Sequence, residues 1–371
     1  MADDPTVPSG PLLPDRIRVA RELRGLTQRD VVEKMGHAIS PPALSQIEAG
    51  KLRPSPATVQ QLATTLGVPL TFFSAQWPAG GQPVTYFRNL RSTSVRERRR
   101  ASAQALLLSD FVAALEQHVR IPEVAVPTLQ AARGAAREEI EDIAQQVRSV
   151  WSLGHEPVPH VVRSLERHGI VVARLKMGNS AVDAFSIRIG RRPLVLLTDD
   201  KSDNYVRSRF DAGHELGHLV MHAGAEPGTK ETEQQAHNFA AAFLLPEASA
   251  REELPRRLDA PDWSRLAEMK RTWGVSIAAL LFRARALRII SADTYQTAMR
   301  YMSFRGWRRQ EPGDREMGAP EAPLLLERSV RRTEVEAGLT TESLVEAAHL
   351  PLADMRDLLE AAVDDRPVIE L

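Results

Sequence analysis

The residues His214-Glu215-Leu216-Gly217-His218 combine two imidazoles and a carboxylate at a spacing that suits metal-dependent hydrolysis. On an α-helix, His214 and His218 lie on one face, about 6 Å apart along the axis, so both can bind one metal ion. Glu215 is rotated by about 100° from His214, which places it beside the ion as a general base for water. The motif alone is also compatible with two exposed histidines on a surface helix, so a third ligand has to be sought elsewhere.

A second helical stretch offers that ligand. A catalytic zinc ion needs three protein ligands and one open position for water. Glu233 begins a helical face that continues through Ala236, Ala240 and Leu244. His222 lies about 12 Å along the helix from His214, too far for both to reach one ion. We therefore predict Glu233 as the third ligand, and interpret His222 and the other nearby histidine, His237, as supporting or structural residues.

The residues around the motif resemble those of a known family. Arg209-Phe210 leads into the motif, and residues 233–246 have the form E-x-x-A-x-x-F-A-x-x-x-L-L-P. Together they resemble the ImmA/IrrE family of bacterial metallopeptidases over residues 137–260. Gly213 stands where the family more often has alanine. The resemblance implies a zincin-like α+β domain with Zn²⁺ bound by His214, His218 and Glu233, and with Glu215 as the catalytic base.

The same resemblance implies a substrate class, because the family cleaves repressor proteins and so relieves repression. It does not fix the metal, since two histidines and a carboxylate accept Mn²⁺ as well as Zn²⁺.

Residues 12–75 carry a different pattern, with four short helices and a short fifth helix around Leu70 to Phe73. Thr27, Ser40 and Ser55 are suitable N-caps, and Pro41 and Pro56 stand at first helical positions, where proline is tolerated. The tight junction between the second and third helices predicts a helix-turn-helix domain.

This domain resembles the Xre/Cro family of repressors through Leu26-Thr27-Gln28 and residues 44–55, LSQIEAGKLRPS. The resemblance implies that the third helix enters the major groove of double-stranded DNA, usually as part of a homodimer. The candidate DNA contacts are Gln28, Ser40, Ala43, Gln46, Lys51 and Arg53. Gln46 is the candidate base reader, because glutamine can pair with adenine through two hydrogen bonds. A protein-interaction module is the alternative interpretation of the domain.

Charge supports DNA binding locally although the whole chain has a formal net charge of zero. Residues 12–60 contain eight Arg and Lys against five Asp and Glu, a balance of +3. Residues 88–100 contain six arginines against Glu97, a balance of +5. Such patches can bind phosphates, although an arginine-rich, solvated helix start is an equally good interpretation.

The rest of the sequence predicts a mainly α, multidomain protein of 371 residues. We expect a disordered tail (1–11), a linker and connecting helix (76–136), a helical extension (261–310) and a C-terminal helical unit (311–371) containing two helices, 323–336 and 341–360. Three β-rich runs, Ile170–Leu175, Val182–Ile189 and Pro193–Thr198, predict a small sheet before the metal-binding helix.

Composition limits the remaining possibilities. The absence of cysteine excludes disulfides, thiolate zinc sites and cysteine nucleophiles, and it fits the cytoplasm. We expect neither a signal peptide nor a membrane span. The sequence thus predicts a cytoplasmic bacterial transcription regulator whose protein substrate is a repressor or another copy of itself. The alternatives are a regulator whose metal domain senses a signal or is structural, and an antitoxin-like or phage-defence partner that binds DNA and a second protein. Retention of Glu215 favours the enzyme, because a structural metal site has no use for a base.

Overall fold

The computed structural model describes residues 11–77, 84–87, 94–175, 184–189, 192–198, 204–222 and 229–362. The predicted tail up to residue 10, most of the 76–92 linker and the breaks at 178–179, 190 and 224–228 lie outside these residues. The predicted fold class is confirmed: the described chain is mainly helical, with one small sheet beside the central helices. None of the described helices has the length and hydropathy needed to cross a membrane.

The N-terminal helices follow the predicted capping residues. They are α1 (Pro14–Leu23), α2 (Gln28–Lys34), α3 (Pro41–Glu48) and α4 (Pro56–Leu66), followed by a 3₁₀ turn (Leu70–Ser74). The side chains of Thr27, Ser40 and Ser55 each accept a hydrogen bond from the backbone N–H three residues later. Because each cap satisfies a backbone donor that the helix cannot, these starts are determined locally.

A strand lies within the region predicted as linker. β1 (Val84–Phe87) pairs antiparallel with β3 (Ala184–Ile189), a partner about 100 residues away along the chain. The long helix α5 (Val95–Leu115) follows, capped by Ser94. The remaining strands are β2 (Val171–Leu175) and β4 (Arg192–Thr198), and the sheet order is β1-β3-β4-β2. The predicted three-stranded sheet therefore has a fourth strand.

The central helices pack against one face of the sheet and include the helix with the HELGH motif. They are α6 (Arg137–Val150), α7 (Val161–Arg167), α8 (Tyr205–Met221), α9 (Lys230–Leu244), α10 (Glu247–Glu253), α11 (Ala260–Trp273), α12 (Ile277–Ala286) and α13 (Ala292–Phe304). The sheet separates two hydrophobic clusters. Leu194 and Leu196 of β4 belong to a cluster with α5, whereas Val195 and Leu197 belong to a cluster with α8 and α9. Successive side chains of a strand point to opposite faces, so the alternation assigns one face to each cluster.

The C-terminal region contains three helices rather than the predicted two. They are α14 (Leu325–Ala337), α15 (Thr341–Ala347) and α16 (Leu352–Ala362). The prediction of one helix over 341–360 is wrong, because His349 has φ +58° and Pro351 cannot continue a helix from the preceding turn. Apolar residues of all three helices share one hydrophobic cluster with α1–α5 and the sheet. Arg24, which directly follows α1, also pairs with Asp354 of α16 through two hydrogen bonds.

Two buried carboxylates, Glu321 and Glu166, connect the segment before α14 to the central helices through hydrogen bonds and an ion pair. Glu321 pairs with Arg209 of α8 and accepts a hydrogen bond from the backbone N–H of Val162 at 2.8 Å. Glu166 of α7 accepts hydrogen bonds from the backbone N–H groups at the start of α14. Burial raises the pKa of Glu166 to about 7, against a smaller lowering by those hydrogen bonds. These contacts hold the segment before α14 against α7 and α8.

Candidate metal centre and nucleic-acid interface

Helices α8 and α9 are held close enough to place side chains from both on one ion. The back of α8 is buried through Ala212, Leu216, Leu219 and Val220. A Cβ added to Gly217 would lie 3.0 Å from the Phe239 ring of α9, so a larger residue would require Phe239 to shift by a few tenths of an ångström. A Cβ on Gly213 would make only ordinary contact, at 3.6 Å from Ala240. Gly217 therefore permits the close packing expected beside the site.

His214, His218 and Glu233 converge within the described structure. Their ligand atoms lie within 4.8 Å of one another. The Nε2 atoms of the two histidines are 3.1 Å apart, and they lie 3.4 and 3.5 Å from the Glu233 carboxylate oxygens. Burial alone would raise the pKa of Glu233. Hydrogen bonds with the two imidazoles lower it by a larger amount, so that the pKa falls to about 2. Two imidazole nitrogens and one carboxylate oxygen are a donor set that fits a catalytic zinc ion.

Glu215 lies outside this ligand set and is fully buried. Its Oε2 accepts a hydrogen bond of 2.8 Å from the Ser186 hydroxyl of β3. The neighbours Phe185 and Ile187 belong to the cluster on the other face of the sheet, so Ser186 points toward α8. Ser186 was not among the predicted site residues. The sequence feature that could have indicated Ser186 is its position as a polar residue between the apolar Phe185 and Ile187 in a strand.

His222 contacts the ring nitrogen of His218 that faces away from Glu233. Its Nδ1 lies 2.9 Å from the His218 Nδ1, and its Nε2 lies 2.9 Å from the Gln235 side-chain oxygen. Gln235 in turn donates to the backbone carbonyl of Ala132 at 3.1 Å. Burial, assisted by the charge of His218, lowers the pKa of His222 to about 4, so the ring is neutral near pH 7. This chain of contacts orients His218 with its Nε2 toward Glu233, and the sequence reasoning did not identify Gln235.

His237, the other histidine considered, packs between aromatic rings. Its ring centroid lies 4.8 Å from that of Phe210 and 5.3 Å from that of Phe282. It does not belong to the ligand cluster in the described structure.

The candidate DNA contacts lie on and around α3. Gln46, Lys51 and Arg53 are exposed, Ala43 is half-buried, and Ser40 caps the helix. Gln28 is half-buried and donates to Glu48 at 2.8 Å. Glu48 also forms a buried ion pair with Arg21 of α1, at 2.6 and 2.9 Å. That pair fixes α3 against α1 and leaves its opposite face open to solvent.

The arginine-rich start of α5 flanks this domain. Arg96 and Arg99 line a cleft of about 660 Å³ together with residues of α1, α2 and α3. Arg99 lies 3.7 Å from Glu22 of α1, so part of its charge is balanced within the protein. The predicted contributions of Arg88 and Arg91 lie outside the described residues.

Comparison with known families matches both parts of the chain. Residues 17–73 match the family model described as helix-turn-helix, and residues 165–285 match the one described as IrrE N-terminal-like domain, a peptidase family. The chain thus joins an Xre-type helix-turn-helix domain to an ImmA/IrrE-like metallopeptidase domain, as the two resemblances indicated. The second match extends past residue 260, the boundary expected from the sequence, into α11 and α12. No curated protein matches the chain.

Proposed function

We propose that this fusion of a helix-turn-helix domain with an IrrE-like domain is a regulator that controls repression by zinc-dependent cleavage of a repressor protein. The observation that carries the proposal is the convergence of His214, His218 and Glu233 from two helices, with Glu215 buried beside them but outside the ligand set. The substrate is a separate repressor or another copy of this chain.

Each residue then has a distinct role in peptide hydrolysis. His214, His218 and Glu233 would hold the zinc ion, which would supply a Lewis acid that makes water acidic near neutral pH. Glu215 accepts a proton from the attacking water while the water oxygen adds to the peptide carbonyl carbon. The same carboxyl then returns a proton to the leaving nitrogen as the C–N bond breaks. Ser186 holds one Glu215 oxygen by its 2.8 Å hydrogen bond, which orients the carboxylate for these transfers.

Incubation of the zinc-loaded, full-length protein with candidate repressors and with itself tests this function. New peptide termini, identified by mass spectrometry and suppressed by a chelator, are expected. If every candidate and the protein itself stay intact with zinc bound, the proposal of proteolysis fails.

Ser186→Ala should lower kcat about 10-fold with unchanged zinc content, because loss of an orienting hydrogen bond beside a metal site typically costs 10–100-fold. The readouts are the initial rate of substrate cleavage and the metal-to-protein ratio. Ser149→Ala is the matched control, because Ser149 is exposed on α6 and its hydroxyl bonds only within that helix. Equal rates in the two variants would contradict the role given to Ser186.

Gln46→Ala should weaken discrimination at one base pair of the operator by about 1–3 kcal/mol, because Gln46 is exposed on α3 and can read a base edge. Binding to genomic fragments should also weaken steeply with added salt. We expect a homodimer on two half-sites about one helical turn of DNA apart. Electrophoretic shifts measure both effects, with Gln60→Ala on α4 as an exposed control. An unchanged base preference in Gln46→Ala, or no shift at low salt, would refute this assignment.

A further inference from the structure

A cavity lies between α8, α9, α12 and residues 307–314, and its lining residues Phe210 and His237 are each four residues from a proposed metal ligand. We call it the aromatic pocket. Its volume is about 600 Å³. One part of its wall is formed by Phe210, His237, Ala241, Ala279, Phe282 and Trp307. The remaining wall is largely polar and includes Arg207 and Asp211, which form an ion pair at 3.8 Å. Large ring surfaces and two small alanines leave room for an apolar group of considerable size.

Helical spacing connects the aromatic pocket to the ligands. Phe210 precedes His214 by four residues on α8, and His237 follows Glu233 by four residues on α9. Residues four apart on a helix share a face, about 6 Å apart along the axis. The rings of Phe210 and His237 lie 4.8 Å apart, so the two helices stay in contact at this level. The face that presents the metal ligands therefore continues directly into the pocket wall.

The rim of the aromatic pocket is anchored by a buried cation. Lys270, which is fully buried, bonds Glu311 at 3.0 Å and pairs with Asp314. Glu311 also accepts hydrogen bonds from the backbone N–H groups of Ile277 and Ala278 at the start of α12. These contacts fix the 307–314 segment, so the rim is a formed part of the fold.

Charge at the rim is unevenly balanced. Lys270 offsets the acidic pair Glu311 and Asp314, whereas Arg308 and Arg309 are exposed. No carboxylate of the described residues lies within ion-pair distance of these two arginines. The rim therefore offers two exposed guanidinium groups beside the ring-lined part of the cavity.

We propose that the aromatic pocket is a substrate subsite that takes a large apolar side chain of the peptide near the scissile bond, with an adjacent acidic residue bound by Arg308 and Arg309. The proposal rests on the proposed peptidase function. It names the substrate class as a protein segment in which an aromatic or large aliphatic residue adjoins Asp or Glu. Apolar rings supply the burial, and the guanidinium groups match a carboxylate.

Binding can be measured without cleavage in the full-length Glu215→Gln protein loaded with zinc. The probes are three fluorescein-labelled dodecapeptides of Gly, Ser and Asn with a central Phe-Glu, Ala-Glu or Phe-Lys pair. The Phe-Glu probe should bind at least about tenfold more tightly than the Ala-Glu probe, because only the phenyl ring fills the pocket. It should bind about threefold more tightly than Phe-Lys, a modest effect because the arginines are exposed. Equal affinities for Phe-Glu and Ala-Glu, or no binding of any probe, would overturn the subsite.

Variants of the same protein locate the preference. Ala241→Phe and Ala279→Trp fill the aromatic pocket from two different helices and should each abolish the preference for Phe over Ala. The double variant Arg308→Gln/Arg309→Gln should abolish the preference for Glu over Lys. Its control is Arg256→Gln/Arg257→Gln, an exposed arginine pair away from the pocket. Zinc content and circular dichroism identify any variant that misfolds, and a preference that survives in both folded pocket-filling variants contradicts the proposal.

The outcome separates the subsite from the proteolytic activity. If the preference is found but the wild-type protein does not cut the Phe-Glu probe or a repressor, the pocket stands only as a peptide-binding site and the proposed function fails. If the wild-type protein cuts a repressor but shows no preference among the probes, the function stands and the subsite fails.

Discussion

Glu215→Gln should lower substrate cleavage by at least about 100-fold, because glutamine is nearly isosteric with glutamate but cannot accept a proton at neutral pH. Zinc should remain bound, since Glu215 lies outside the cluster of His214, His218 and Glu233. The Ser186 hydroxyl can still donate to the side-chain oxygen of glutamine, so the local packing is preserved. Initial cleavage rates and metal content of the purified variant measure the two halves of this prediction.

Glu252→Gln is the matched control for that experiment, because Glu252 is exposed on α10. It should cleave at the wild-type rate. Cleavage by Glu215→Gln within a few-fold of that rate would remove Glu215 from its role as the base. Loss of zinc from Glu215→Gln would instead mean that Glu215 is a ligand.

Glu233→Ala should cost most of the metal affinity, whereas His222→Ala should keep one zinc ion per chain. Glu233 supplies the carboxylate that approaches both imidazole Nε2 atoms, at 3.4 and 3.5 Å. His222 touches only the opposite nitrogen of His218, so its loss weakens orientation, at a cost of about 10–100-fold in affinity. Elemental analysis and competition with a zinc chelator report stoichiometry and affinity, with His214→Ala as the metal-free reference.

Full metal content in Glu233→Ala together with a metal-free His222→Ala would contradict this ligand set. It would mean that α8 bends near its C-terminal end and brings His222 to the ion in place of Glu233.

The parts of the fold that could be predicted from the sequence are those determined by nearby residues. The helix starts at Thr27, Ser40 and Ser55 depend on a hydrogen bond spanning three residues. The shared face of His214 and His218 follows from one turn of helix. The prediction that Glu233 is the third ligand drew on the helical face that it shares with Ala236, Ala240 and Leu244, and on the family resemblance.

The features that the sequence did not indicate depend on contacts between distant segments. Ser186 reaches Glu215 only because the sheet packs against α8, and β1 is defined by its pairing with β3. Gln235 acquires its role by meeting His222 across the α8–α9 break. The break between α15 and α16 has a local cause: Pro351 lacks a backbone N–H and ends the preceding helix, although the apolar periodicity continues past it.

The most direct measurement of the central claim compares a reporter gene in the bacterium for wild type, Glu215→Gln and His214→Ala. Protein levels and DNA binding by residues 12–75 must be equal in all three strains. If regulation works through proteolysis, both variants should show the same defect, because one lacks the base and the other lacks the metal. A normal Glu215→Gln strain beside a defective His214→Ala strain would show that the metal domain senses a signal or stabilises the fold without cutting a substrate.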